Sequence, residues 1–192
     1  MTFSEKSGAL TGPAGDSGGG GLCVLGLGSN RGLEERGPLE LLNSAAGELS
    51  RILKGLRSSP VYKTAPLYVT DQGAFLNCAV CGFFRGGPEE LLTELQAVET
   101  RHGRDRSRER RWGERSLDID ILLFGDAVFN NERLTIPHPR LTERAFALRP
   151  LIDLLPHARD PHSDRPYRDI LAGLPDQGVR FAGKMSPLPP PA

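Results

Sequence analysis

Cysteine is scarce in this chain of 192 residues, and the three present, Cys23, Cys78 and Cys81, cannot build a disulfide scaffold. Cys78-Ala-Val-Cys81 has the outline of a metal or redox pair. It lies in an apolar strand-like run, however, where positions i and i+3 face opposite sides, so both are expected as small core residues. Net charge is absent as well. The 24 Lys and Arg balance the 24 Asp and Glu, which removes any global pull toward nucleic acid or membrane. No apolar run approaches membrane length, and Met1 to Gly21 lacks the apolar segment of a secretory signal. A soluble, cytoplasmic monomer is the expectation, with neither nucleic acid nor membrane as partner. Lysine occurs only at Lys6, Lys54, Lys63 and Lys184, so arginine supplies most of the 24 cations.

What is present is enough for one ordinary core, with 38% hydrophobic residues. Residues 1–20 are rich in Gly and Ser and are expected to be a disordered tail; residues 184–192 end in Pro189-Pro-Pro-Ala192 and are expected to be a second tail. A single domain is expected over 21–183. Cys23 to Gly28 reads as a buried strand. Gly26 and Gly28 do not make a dinucleotide fingerprint, because no third glycine opens a helix; close backbone approach is the expected role. Pro38 starts a helix whose apolar positions run to Gly55. Leu56 to Lys63 reads as a strand, Ala65 to Ala74 as a mobile loop, and Phe75 to Phe84 as a strand. Pro88 starts a second helix, and Ser116 to Phe124 reads as a strand. The order β-α-β-β-α-β predicts an α+β fold of ferredoxin-like type, with an antiparallel sheet, both helices on one face and the other face free for a site. A further helix is expected from Glu143 or Arg144 toward Leu155, interrupted or kinked at Pro150. A last short helix is expected over Tyr167 to Leu174.

The most informative stretch is Arg111 to Gly125. Asp118 and Asp120 lie two apart in the apolar strand and so leave the same face. Two like charges side by side need cations. Bound Mg²⁺ is one source, and salt bridges to Arg108, Arg111 or Arg115 are the other. Arg101, Arg104, Arg106, Arg108, Arg110, Arg111 and Arg115 crowd the approach to the strand, and guanidinium forks suit phosphate oxygens. A carboxylate pair beside an Arg-rich loop fits chemistry on a nucleoside triphosphate. A solvated basic turn is the plainer reading of the same loop.

Five motifs, in order, carry a family resemblance: Leu25-Gly-Leu-Gly-Ser-Asn30, Ser58-Ser-Pro-Val-Tyr-Lys-Thr64, Phe75-Leu-Asn77, the Arg111 to Gly125 block, and Leu134-Thr-Ile-Pro-His-Pro-Arg140 with Arg144-Ala-Phe146. From about Val24 to Leu155 the chain resembles the 6-hydroxymethyl-7,8-dihydropterin pyrophosphokinases. The resemblance implies transfer of pyrophosphate from ATP to the dihydropterin hydroxymethyl group in folate biosynthesis, leaving AMP. It implies that Asp118 and Asp120 bind two Mg²⁺ ions. Arg104, Arg106, Arg111 and Arg115 would handle the phosphates, Arg104 and Arg115 as catalytic groups, with Trp112 in a closing loop. Gln96, Glu99, Ile121, Arg133, Thr135, His138 and Arg144 would line the nucleotide site. Thr64, Ala65, Leu67, Phe75, Asn77 and Phe146 would form the pterin pocket. Departures from the family pattern are an extra residue at Arg110-Arg111, Ala65 where some relatives have proline, Phe75 where some have tyrosine, and Pro139 where some have an aromatic residue.

Several residues carry a second reading. Asn77 could read a pterin edge or make a structural bond. His138, stiffened between prolines, could contact phosphate or sit in a surface turn. His102, His157 and His162 have no partner at ligand spacing. The segment from Gly103 to Ser116 is expected to be a lid that orders over ATP. The rival functional class is an RNA-binding module, which shares the topology and suits an Arg-rich loop. It lacks the exposed aromatic strand motif, and Asp118 and Asp120 would repel phosphates without metal.

Overall fold

Two helices begin on the same short phrase. Gly37-Pro38-Leu39-Glu40 opens α1 (Pro38–Ile52), and Gly87-Pro88-Glu89-Glu90 opens α2 (Pro88–Arg101). Each proline takes the first helical position, where its missing N–H costs nothing. Each glutamate reaches back, so that Glu40 Oε2 accepts the Gly37 N–H at 2.7 Å and Glu90 Oε2 accepts that of Gly87 at 2.9 Å. Leu42, Ala45, Ala46 and Leu49 of α1, and Leu91, Leu95 and Val98 of α2, form the stripes that pack on the sheet.

The computed structural model describes residues 20–65, 71–105 and 113–187. The expected N-terminal tail over 1–19, Leu67, the lid stretch 106–112 with Arg106, Arg111 and Trp112, and 188–192 lie outside the described residues. The strands are β1 (Gly21–Ser29), β2 (Lys54–Ser58), β3 (Pro60–Thr64), β4 (Phe75–Phe84), β5 (Asp118–Phe124), β6 (Phe129–Asn130), β7 (Thr135–Ile136) and β8 (Arg180–Lys184). The main sheet runs β5-β1-β4-β3-β8, with β2 also on β4, and every pairing is antiparallel. The ferredoxin-like α+β arrangement is present, with α1 and α2 on one face.

Several expectations need correction. The strand expected over Leu56 to Lys63 is two strands broken at Ser59. Pro60 has no N–H, and Ser59 fills the gap by accepting the Ala79 N–H on Oγ at 2.9 Å. The helix expected to Gly55 ends at Ile52, since Lys54–Ser58 pair with β4. The opposite face of the sheet is not free. Helices α3 (Ala145–Leu154) and α4 (Tyr167–Ala172) cover most of it, with Leu148, Leu151 and Tyr167 buried against Val24, Ala79 and Leu122. Finally, α3 is not interrupted at Pro150 but runs through it as one element. The proline forfeits one backbone bond and adds a buried ring to the packed side of the helix.

At the C-terminal end, Lys184 was expected to open a tail but closes β8. Met185 packs against the main core, and the Ser186 N–H donates to Asn43 Oδ1 of α1 at 2.8 Å. The cysteines are core residues as expected, buried and free, with Cys78 in the cluster under α1 and α2 and Cys81 in the one under α3.

Candidate active site

The part of the second face left open by α3 lies where three strands meet. Gly28 of β1 sits in register between Asn77 of β4 and Asp118 of β5, and Gly26 sits beside Asp120. A Cβ on Gly28 would come within 3.2 Å of Asn77 Oδ1, so glycine here lets the amide and the carboxylates share one floor. This is the close approach that the two glycines led us to expect.

A cavity opens above this floor. Its walls include Thr64, Ala65, Phe75, Asn77, Arg115, Asp118, Asp120, His138, Arg144 and Phe146, all expected from the sequence. Gln72, Gly113 and Leu122 also line it and were not expected. Gln96, Glu99, Arg104, Ile121, Arg133 and Thr135 are not among the lining residues. Ile121 faces the opposite core and is buried. Arg133 is exposed in a turn where its N–H donates to Asn131 Oδ1. Thr135 Oγ1 donates to Asn130 Oδ1 on β6. Glu99 and Arg104 act one layer behind.

The carboxylates differ sharply. Asp118 is gripped by two guanidiniums: Arg104 Nη1 donates to Oδ1 at 2.5 Å, and Arg115 Nη1 donates to Oδ2. Arg104 also pairs with Glu99, which is fully buried and accepts the Ile119 N–H at 2.8 Å. The result is a chain Glu99–Arg104–Asp118–Arg115, alternating in sign. Of the salt-bridge partners considered for the Asp pair, Arg115 is realised and Arg104 adds to it. Burial alone would raise the Asp118 carboxyl, but the charges of Arg104 and Arg115 and their hydrogen bonds hold it below its ordinary value.

Among the described residues Asp120 has no such grip. Its side chain is 45% exposed toward the cavity, and His138 Nε2 stands 3.9 Å from Oδ2. Burial between the cavity walls, and then the charge of Asp118, push Asp120 up to about 7. His138 is not a cation in this setting. Burial, and then the charge of Arg144, lower it to about 4. Its Nδ1 accepts the Arg140 N–H at 3.1 Å, so the neutral ring carries its proton on Nε2, facing Asp120.

Two donors on the cavity walls are buried with no partner among the described residues: Arg115 Nε and Arg144 Nε. Buried donors of this kind fit an anionic ligand. On the aromatic side, Asn77 Nδ2 donates to Thr64 Oγ1 at 2.9 Å, so the structural bond is present and the amide is fixed in place beside Phe75.

Asn30, the last residue of the first motif, organises both walls of the cavity. Asn30 Nδ2 donates to Gln72 Oε1 and to Gly73 O, both at 3.2 Å, while Asn30 Oδ1 accepts the Arg115 N–H at 2.8 Å. Its position at the end of β1, after Ser29, is the only signal that could have found it.

The donor set fits Mg²⁺. Two oxygen donors stand on one face, and one of them lacks a full counter-charge; Mg²⁺ commonly takes one or two carboxylates and completes its shell with phosphate and water. Among the described residues, no group of three or more His, Cys, Asp or Glu could hold a metal by itself. The RNA-binding reading finds no support, because α3 and α4 cover the sheet face that such a module would use. Among the described residues, no helix is long and apolar enough to cross a membrane.

Comparison with known proteins bears on family and fold. The profile of the family described as 7,8-dihydro-6-hydroxymethylpterin-pyrophosphokinase matches residues 24–156. A 2-amino-4-hydroxy-6-hydroxymethyldihydropteridine pyrophosphokinase of Pseudomonas aeruginosa is 39% identical over 155 residues, covering 80% of this chain and 91% of the relative. The folic acid synthesis protein fol1 of Schizosaccharomyces pombe is also 39% identical, over 83% of this chain but 21% of its own length. A mitochondrial folate synthesis bifunctional protein of Arabidopsis thaliana is 43% identical over 71% of this chain and 24% of its own length. The chain therefore spans about a fifth to a quarter of these two longer relatives. Among solved structures, Plasmodium falciparum HPPK-DHPS superposes with a TM-score of 0.65 at 16% identity, over 82% of this chain and 46% of that one, which supports the fold.

Proposed function

Because the chain belongs to the 7,8-dihydro-6-hydroxymethylpterin-pyrophosphokinase family, we infer that it transfers pyrophosphate from ATP to the hydroxymethyl oxygen of 6-hydroxymethyl-7,8-dihydropterin. The oxygen attacks the β-phosphorus, the bond from that phosphorus to the α-phosphate oxygen breaks, and the products are the dihydropterin diphosphate, AMP and the hydroxyl proton. The observation that carries this reading is that Asp118 and Asp120 share one cavity with Arg115 and Arg144 and with Asn77, Phe75 and Phe146.

Each group has a task that follows from its surroundings. Phe75 and Phe146 offer apolar rings to a flat heterocycle, and Asn77, pinned by Thr64, presents a fixed amide edge. Arg115 and Arg144 bring charge and open donors for phosphate oxygens. Arg104 is held by Glu99, and its second partner Asp118 keeps it aimed at the site. Asp118 and Asp120 would hold Mg²⁺, two ions on the family pattern. When bound, the metal neutralises charge on the transferring phosphoryl oxygens. His138 stays neutral at pH 7 and offers Nε2–H beside Asp120. Leu67, Arg106, Arg111 and Trp112, and a lid over 103–116, keep their expected roles within this reading. Gln96, Arg133 and Thr135, outside the cavity walls, keep their expected place at the nucleotide within this reading, and Ile121, its side chain buried in the core, keeps it only through backbone atoms. The catalytic unit runs from residue 21 through β8, acting as a cytoplasmic monomer on two small molecules and on no nucleic acid.

The test is product analysis. The purified chain with Mg²⁺, ATP and the dihydropterin should form AMP and dihydropterin diphosphate in equal amounts. Formation of ADP, or AMP release that does not depend on the dihydropterin, would overturn the reading.

A further inference from the structure

The start of α3 delivers two wall residues to the cavity, Arg144 and Phe146, yet it has no cap of its own. Arg144 is the N-cap residue, and its side chain makes no capping bond. The bond comes from 32 residues downstream. Gln177 Oε1 accepts the Ala145 N–H at 2.9 Å, and Gln177 Nε2 donates to Glu143 O at 2.8 Å. One side-chain amide thus grips the backbone on both sides of Arg144.

The turn that presents Gln177 is itself built. Asp176 Oδ1 accepts the Gly178 N–H at 2.8 Å, and Asp176 pairs with Arg180 at 2.9 Å. Gly178 has φ +68, a left-handed backbone that a side chain would resist. β8 then begins, and Arg180 pairs with Lys63, next to Thr64 of the cavity wall. Asp176, Gln177, Gly178 and Arg180 lie beyond residue 156, where the family match ends.

We propose that Gln177 is a positioning residue for the transfer site, acting through Arg144. The Arg144 guanidinium has a buried Nε without a partner among the described residues, so no bond at that nitrogen fixes its direction. Its Cζ lies 5.7 Å from the Phe146 ring centroid, so the two side chains hold one arrangement that the backbone beneath them sets. A clamp on residues 143–145 is therefore a clamp on the phosphate-side cation and on the ring beside it. Small misplacements of such groups weaken catalysis far more than they weaken the fold. The inference rests on the activity proposed above.

Gln177→Met keeps the side-chain length and removes both bonds. The Ala145 amide should exchange faster with solvent, and kcat/KM should fall about tenfold. The fall should vanish in an Arg144→Ala background, where Gln177→Met should change kcat/KM less than about twofold, since two residues acting as one unit are not additive. Gln177→Glu keeps the acceptor for Ala145, loses the donor to Glu143, and should fall in between; it carries the test if the Met variant does not fold. Unchanged Ala145 exchange in the variants, unchanged kcat/KM with fast exchange, or an equal loss in the Arg144→Ala background would each overturn the proposal. A wild-type chain that forms no AMP would overturn the activity as well; an active wild type with an unaffected variant would overturn this inference alone.

Discussion

Asn30 and Arg115 are joined in both directions: the Arg115 N–H donates to Asn30 Oδ1 at 2.8 Å, and the Asn30 N–H donates back to Arg115 O at 3.1 Å. The free end of the same Asn30 amide holds Gln72 and Gly73. One buried side chain thus ties the strand end of β1 to the segments on either side of the cavity. Arg115 enters β5 from this knot and reaches Asp118 three residues later.

Asn30→Ala should therefore damage catalysis more than stability. Removing the amide leaves the Arg115 N–H without its acceptor, a loss of about 1–3 kcal/mol in a fold that remains intact. The cavity walls at Gln72 and Arg115 would no longer move together, and kcat should fall at least about tenfold at saturating substrates. Thermal melting beside steady-state kinetics tests this. A kcat within error of wild type, with a lowered Tm, would reduce Asn30 to a purely structural residue.

Removal of the C-terminal end gives a second test. From sequence the domain is expected to end by residue 183, so a cut at Phe181 would cost little. In the structure that cut falls inside β8, removes Gly183 from Val61 and Lys184 from Pro60, and takes Met185 off the core. A chain ending at Pro187 should melt like the full protein. One ending at Phe181 should melt lower, by about 4–8 °C if the lost pairing and packing are worth about 2 kcal/mol. Equal melting of the two would show that β8 contributes nothing.

The difference between what could and could not be read from the sequence has a physical basis. Phe75 to Phe84 is a ten-residue strand with the expected ends, because Gly73 and Gly86-Gly87-Pro88 bound an unbroken apolar run. The helix starts at Pro38 and Pro88 were legible for the same local reason. Asp118 and Asp120 were legible because a period of two forces them onto one face. β8 was not. Arg180–Lys184 holds one large apolar residue, the exposed Phe181, and is a strand only because β3 offers it a partner. The cover of the second face by α3 and α4 is likewise a tertiary fact. Asn30, Gln72 and Gln177 share a further reason for going unseen: each acts through hydrogen bonds of one side-chain amide to distant segments, and such bonds leave no periodicity.

The thiols supply a check on the core. Burial, followed by the proximity of Cys81, pushes the Cys23 thiol up to about 12, and burial alone does the same to Cys78. Burial also raises Cys81. The reactive thiolate is thus suppressed at neutral pH in addition to being inaccessible. An aromatic disulfide reagent at pH 8 should label none of the three in the native protein and all three in denaturant. Rapid labelling of the native protein would show that one of these strands opens.

The two aspartates should respond in opposite directions when each is replaced by asparagine and stability is measured without metal. Asp120 has a folded value of about 7 against an unfolded value near 4. The group therefore favours the fold at pH below about 4, and that contribution is lost as pH rises through 7. At pH 8 with chelator, Asp120→Asn should stabilise by about 1 kcal/mol, a figure kept small because the side chain is nearly half exposed. Asp118 is held below its ordinary value, so its contribution is present above about 4 and is lost only on further acidification. Asp118→Asn removes the partner of Arg104 and Arg115 and should destabilise by about 2 kcal/mol at the same pH. Both variants should lose pyrophosphoryl transfer by orders of magnitude, because both lose a charge the metal needs. Melting curves in chelator, beside AMP formation with Mg²⁺, decide the matter. A shared sign for the two stability changes would show that Asp120 is not the strained member of the pair, and near-normal activity in either variant would remove it from the metal site.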